Sequence, residues 1–182
     1  MYSVITISGQ LGSGKSTIAQ MISKKLGWMY YSTGMAQRTI AQKKGITTIE
    51  LNRLAVMDPS IDAQIDAVFQ NPPWGNKSCV VDSRLAFHFL PNSLKVCLLV
   101  DSKVAAERVL EAKRSNEQYS NVKEAQKYLE QRMDLEQAHF VKNYGLDITD
   151  LKQFDLVIDT THLTPQKVCE KILKELRSAS ST

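Results

Sequence analysis

Short apolar runs rich in β-branched residues alternate along this chain with stretches whose apolar positions recur at helical spacing. Val4-Ile5-Thr6-Ile7 has the continuous apolar character of a buried strand, and Lys15 to Leu26 follows as a helix that Gly27 ends. Trp28 to Tyr31 reads as a short second strand, and residues 33 to 44 as a helix stopped by Gly45. Thr47-x-x-Glu50 has the form of a capping box and opens a helix to about Val56. Asp58-Pro59 sets a cap acceptor before a proline at the first helical position, which predicts a further helix to about Phe69. Asn71-Pro72-Pro73-Trp74-Gly75 then breaks the chain. Three more strands are expected at Cys79 to Asp82, Lys95 to Val100 and Phe154 to Asp159, with helices over 103 to 114, over 121 to 142 and from Thr164-Pro165 onward. The series predicts an α/β protein in three layers, with a five-stranded parallel sheet and two polar, helix-rich insertions at about 33 to 70 and 108 to 145.

Composition narrows this only a little. The 182 residues favour one domain that buries roughly 70% of its unfolded surface. A net charge of +4 is mild, and no Lys/Arg run reaches the density expected of a nucleic-acid surface. Cys79, Cys97 and Cys169 are far apart in apolar settings, as for reduced, buried thiols rather than disulfides or metal ligands. The first residues have no basic, apolar leader pattern and no apolar run approaches a membrane span, so the expected setting is cytoplasmic, without a membrane partner.

The strongest chemical signal is Gly9-Gln10-Leu11-Gly12-Ser13-Gly14-Lys15-Ser16, with Thr17 next in the helix. It fits the phosphate-loop pattern G-x-x-x-x-G-K-[ST] and lies between a strand and a helix, as that motif requires. Several backbone N–H groups must approach triphosphate oxygens together, which side chains at each turn would block and which glycine dihedrals permit. The helix behind adds its N-terminal dipole. Lys15 would place a charge between the β- and γ-phosphates of ATP, and Ser16 would offer its oxygen to Mg²⁺. A second Mg²⁺ acid is sought at a strand end. Asp82, Asp101 and Asp159 all qualify, and Asp82 is favoured because Arg84 stands two residues on, whereas Asp101 is explained by helix capping.

Tyr31-Ser32-Thr33-Gly34 closes the second strand and opens a helix that carries Arg38, a setting suited to an anionic acceptor. Arg38 and Arg84 could grip one phosphate for in-line attack, or could be solvated surface residues. Arg108, Lys113, Arg114, Lys123, Lys127 and Arg132 supply positive charge from 108 to 142, though interleaved acids also fit a solvated face. Arg114 and Arg132 flank an expected hinge at 115 to 121 and are the lid candidates, since transfer needs a charge that closes over the γ-phosphate and excludes water.

Over nearly its whole length the chain resembles the nucleoside monophosphate kinases, and among them the short archaeal-like cytidylate kinases. The resemblance is carried by Gly9 to Thr17 and Tyr31 to Gly34 with Arg38, by Asp58-Pro59-Ser60-Ile61-Asp62 with Ile65-Asp66, and by Val81-Asp82-Ser83-Arg84-Leu85-Ala86. It continues through Tyr144-Gly145-Leu146-Asp147-Ile148 and Phe154 to Thr160. It implies a phosphate-loop core, an acceptor segment and a lid, with Mg·ATP as donor and CMP or dCMP as acceptor. A monomer is the expected state, though the sequence itself does not read oligomeric state. It further implies Ser32, Gly34, Arg38 and Arg84 at the acceptor, Asp62 and Asp66 near its base, and Arg108, Arg114 and Arg132 in the lid. Two positions depart from the family pattern: His139 stands where an arginine is common, and Ser83 where a glycine is common. Other acceptors, and a nucleotide-binding module with weak catalysis, remain open. A guanine reader of the Asn-Lys-x-Asp type is missing from the sequence.

Overall fold

The computed structural model describes residues 2–46, 48–112 and 119–179. Five strands form one parallel sheet: β1 (Val4–Gly9), β2 (Met29–Ser32), β3 (Cys79–Asp82), β4 (Leu94–Leu99) and β5 (Leu156–Asp159). Their order is β2-β3-β1-β4-β5. Among the described residues eight helices accompany them: α1 (Lys15–Leu26), α2 (Thr33–Lys44), α3 (Thr48–Met57), α4 (Pro59–Gln70), α5 (Ala86–Phe89), α6 (Ser102–Glu111), α7 (Val122–Tyr144) and α8 (Pro165–Ser178). The predicted elements are present with ends moved by a few residues. The short α5 and a 3-10 turn at Leu151–Gln153 were not predicted, because neither is long enough to show a period.

Local chemistry sets many of the boundaries. Gly27, Gly45 and Gly145 close α1, α2 and α7 in the left-handed conformation. The Asp58 carboxylate accepts from the Ser60 N–H at the head of α4, and the Thr164 hydroxyl caps α8. The expected cap at Thr47 lies outside the described residues.

The main core lies where β1, β3 and β4 meet α1 and α8. Ile5, Ile7, Val80, Leu94, Val96 and Leu98 interlock with Ile18, Ile22, Val168 and Ile172. These strands are covered on both faces, so they read as unbroken apolar runs. Opposite this core, Phe69, Trp74 and Val81 form a second cluster, with the Trp74 and Tyr31 rings 5.4 Å apart. Helices α2, α3 and α4 leave the sheet between β2 and β3 and share their own small core of Ala41, Leu51, Ala55, Ile61 and Ile65. The three cysteines are buried free thiols. Among the described residues no helix is long and apolar enough to cross a membrane.

The order of the sheet positions the site. β1 is central, and β3 and β4 flank it, so the carboxyl ends of these strands converge around the loop that follows β1. In parallel sheets that edge is where ligands bind.

Candidate active site

The loop from Gly9 to Gly14 is pressed hard onto its neighbours. Gly9, Gly12 and Gly14 have φ of 131°, 76° and 88°. A Cβ on Gly9 would run into the Leu98 backbone, and one on Gly12 would lie 2.8 Å from Ala105 at the start of α6. Here only glycine meets both the dihedral and the space. Gln10 staples the loop to β4: its N–H donates to the Leu98 carbonyl at 2.9 Å, and its side-chain oxygen accepts from the Val100 N–H at 2.6 Å. The Ser13 hydroxyl donates back to the Gln10 carbonyl at 2.8 Å. Leu11 packs outward onto the apolar cluster that joins α6 and α7.

Lys15 turns over this loop and donates to the Gly9 and Gln10 carbonyls at 2.9 and 2.7 Å. Desolvation, helped by the nearby Arg84 guanidinium, pulls its ammonium from 10.5 down to about 7, although Asp82 and Glu136 pull the other way. The residue as a whole is only half-buried, but protein atoms crowd its charged end.

One helical position on, Ser16 donates to Asp82 at 2.6 Å. The same Asp82 oxygen faces the Tyr30 hydroxyl at 3.2 Å and the Ser32 hydroxyl at 3.4 Å. The pairing of β1 with β3 and of β3 with β2 assembles this oxygen cluster. Of the other two acids weighed for the role, Asp101 caps α6 through the Lys103 and Val104 N–H groups, and Asp159 accepts from Thr161. Ser83, at one of the departing positions, is buried and its hydroxyl accepts from the Leu85 N–H.

Arg84 and Arg132 meet across the Glu136 carboxylate. Arg84 lies 3.0 Å from one Glu136 oxygen, and Arg132 donates to the other at 2.9 Å. The Arg84 contact is close but poorly aligned, so it is an ion pair rather than a hydrogen bond. Burial alone would push the Glu136 carboxyl up, yet the Arg84 and Arg132 charges outweigh it and hold it below its ordinary value. Burial also lowers the Arg84 guanidinium, against the pull of Glu136.

The remaining candidates spread outward. Arg38 is exposed on α2, with its guanidinium turned back toward Gly34. Arg108 leaves α6 to donate to the Thr160 hydroxyl and to the carbonyls of Thr160 and Thr161. Asp62 accepts from Asn143 at 3.1 Å and pairs with His139 at 2.7 Å, while the Tyr144 hydroxyl donates to Asp66. Burial raises Asp66, and together with Asp66 itself raises Tyr144. The two acids of α4 therefore grip the far end of α7. His139 is turned into that seam, toward α4. Arg114, Lys113 and most of the expected hinge lie outside the described residues.

The cytidylate kinase-like family matches residues 4–162. This chain belongs to it. A cytidylate kinase of Sulfurisphaera tokodaii is 33% identical over 172 residues, covering 93% of this chain and 92% of that protein. An S-adenosylmethionine-dependent nucleotide dehydratase of Lacinutrix mariniflava is 35% identical over all 182 residues, and the chain spans 37% of that protein's length. The shikimate kinase of Acinetobacter baumannii superposes with a TM-score of 0.59 at 16% identity, over 98% of this chain and 95% of that one, which shows a shared phosphate-loop kinase fold.

Three residues of this cytidylate kinase-like chain were not singled out from sequence: Tyr30, Glu136 and Thr160. Glu136 had a local signal, since it stands four residues after Arg132 on one helix face. Tyr30 shares its element with Ser32, and strand alternation puts both on the Asp82 side. The role of Thr160 depends on partners distant in sequence.

Proposed function

We propose that the chain moves the γ-phosphoryl group of Mg·ATP onto a nucleoside monophosphate, with CMP or dCMP as acceptor. The observation that carries this is the convergence of Lys15, Ser16 and Asp82 with Arg84 and Arg132 beside the carboxyl ends of β1 and β3. The glycine loop fits a polyphosphate: its close-packed positive-φ glycines leave backbone N–H groups, rather than side chains, to line the cradle. Backbone amides from Gly9 to Thr17 would hold the triphosphate, with Arg108 beside them. The Ser16 and Asp82 oxygens fit a hard divalent cation, and Mg²⁺ bound there would neutralise charge on the β- and γ-phosphates.

On the acceptor side, Ser32, Gly34 and Arg38 would receive the monophosphate together with Arg84. Residues 33–70 act as the acceptor insertion and 108–145 as the lid, which carries Arg114 and Arg132. An acceptor phosphate would compete with the Glu136 carboxylate for Arg84 and Arg132, because both anions suit the same planar guanidiniums. An acceptor phosphate oxygen then attacks the γ-phosphorus in line, the bond to the β-bridging oxygen breaks, and ADP leaves. The side chains supply position and charge, without a covalent intermediate. His139 is bound to Asp62, so the positive charge of the lid would fall to Arg114 and Arg132.

Lys15 provides a test of the phosphate-donor side. Triphosphate favours the ammonium form of a lysine that otherwise loses its proton near pH 7, so nucleotide binding above that pH takes up a proton. Calorimetry of Mg·ATP binding at about pH 8 in buffers of differing ionisation enthalpy should show uptake of a large fraction of one proton. Uptake near zero would contradict the placing of Lys15 on the phosphates.

A second reading concerns the acceptor alone. A segment similar to this whole chain lies within a nucleotide dehydratase. On that reading the acceptor is a nucleotide that such a dehydration consumes or yields. A coupled assay across CMP, dCMP, UMP, AMP and a dehydrated nucleotide separates the two. We expect CMP and dCMP to exceed the purine acceptor by at least about tenfold in kcat/KM. Inert CMP and dCMP beside an active alternative would end the cytidylate assignment.

A further inference from the structure

Thr160 follows β5 directly and is 2% exposed. Its backbone and hydroxyl together touch three elements. The N–H donates to the Leu99 carbonyl at 2.9 Å, at the end of β4. The hydroxyl lies 2.9 Å from that same carbonyl and 3.2 Å from the Ser13 carbonyl in the glycine loop. It also accepts from Arg108 at 3.1 Å, and the Thr160 carbonyl accepts from Arg108 at 2.8 Å.

A hydroxyl has one proton for two carbonyls. The Leu99 carbonyl already receives the Thr160 N–H. Among the described residues no other hydrogen-bond donor reaches the Ser13 carbonyl, so the proton is worth more there. Ser13 itself is buried, and an unmet carbonyl would leave its desolvation uncompensated.

The consequence lies on the other side of the peptide. The Ser13–Gly14 unit is planar and trans, so holding the carbonyl toward Thr160 points the Gly14 N–H the opposite way. Gly14 is open on its own side, with nothing within 4 Å of a built Cβ. It is also the residue most able to let this peptide rotate, since glycine accepts both signs of φ at little cost. A glycine at the mouth of the α1 N-terminus does little by itself to fix this peptide, and the Thr160 hydroxyl is in place to do so.

We infer that Thr160 is a positioning residue for the phosphate donor: its hydroxyl holds the Ser13–Gly14 peptide with the Gly14 N–H facing the triphosphate, and its oxygens hold Arg108 beside it. This rests on the kinase reading above. Thr160 touches neither reacting group, so it acts on ATP affinity and leaves the acceptor side alone.

The test compares Thr160→Val, which keeps the shape, with Thr160→Ser, which keeps the hydroxyl. Mg·ATP and CMP binding are each measured by calorimetry, beside steady-state KM and kcat and the Gly14 amide resonance. Thr160→Val should bind Mg·ATP about tenfold more weakly and raise its KM to match, with CMP affinity unchanged. The Gly14 amide resonance should move in the valine variant, and Thr160→Ser should restore both within about threefold. Wild-type ATP affinity in Thr160→Val overturns the inference. So does an equal loss for ATP and CMP, or a serine variant no better than valine, since either marks a role in the fold alone. If the unaltered chain binds no Mg·ATP, the kinase reading falls first and this inference with it. Should Thr160→Val fail to fold, Thr160→Ala removes the same hydroxyl without a second branch and is read by the same criteria.

Discussion

Replacing Lys15 with alanine should abolish phosphoryl transfer, with kcat/KM lower by at least about a thousandfold, or some 4 kcal/mol of transition-state stabilisation. The size follows from where the ammonium is held. It sits on the Gly9 and Gln10 carbonyls at the lip of the loop, desolvated and beside Arg84, so its charge acts in a medium far less screening than water. Lys15→Arg should not restore activity, because a planar fork cannot occupy the two-carbonyl seat of a compact ammonium. Stability should move in the other direction. The folded pKa lies below the unfolded one, so the buried charge is a penalty that is full below pH 7 and is relieved as pH rises from about 7 toward 10.5. Thermal melts of Lys15→Met should therefore show a folded and somewhat stabilised protein at neutral pH. Near-normal turnover in Lys15→Ala would remove the loop from the reaction.

The second large effect belongs to Arg84. In Arg84→Met, kcat/KM for the acceptor should fall by about a thousandfold and stability by about 2–3 kcal/mol. The kinetic loss comes from removing one fork on the acceptor phosphate. The stability loss comes from Glu136, whose largely buried carboxylate would lose the Arg84 charge and keep its pair with Arg132. Side-chain exposures of 17% and 21% leave some access to water, which places the figure at or just below the low end for broken buried pairs. The double change Arg84→Met with Glu136→Leu removes both charges. It should recover most of the melting temperature and none of the activity, which separates the two roles. The pH dependence has a definite sign as well. The folded Glu136 pKa lies below its unfolded value, so the stability it contributes is present above about 4.5 and is lost as pH falls through the folded value. The double variant should lack that part of the acid transition. If Arg84→Met loses stability but keeps acceptor kinetics, the pair is a strut and the acceptor phosphate binds elsewhere.

The glycine loop, the strand series and most helix ends were legible in the sequence because each is a short-range feature. A Gly-x-x-x-x-Gly-Lys-Ser run, an Asp-Pro cap or a four-residue β-branched run states its physics within one window. The alternation of strands and helices also carried the parallel α/β class, since parallel neighbours require crossovers. What it could not carry was which strands become neighbours. The order β2-β3-β1-β4-β5 brings Ser16 to Asp82 across 66 positions and Thr160 to Ser13 across 147. It left Asp101 and Asp159 as a cap and a turn. It also turned His139, which by position resembled a lid residue, onto Asp62. Local pattern thus determined the parts of this protein and the glycine loop, whose geometry is written in contiguous backbone. Only the folded chain decided which carboxylate faces which cation, because charge pairing depends on distance in space and that distance is a property of the whole sheet.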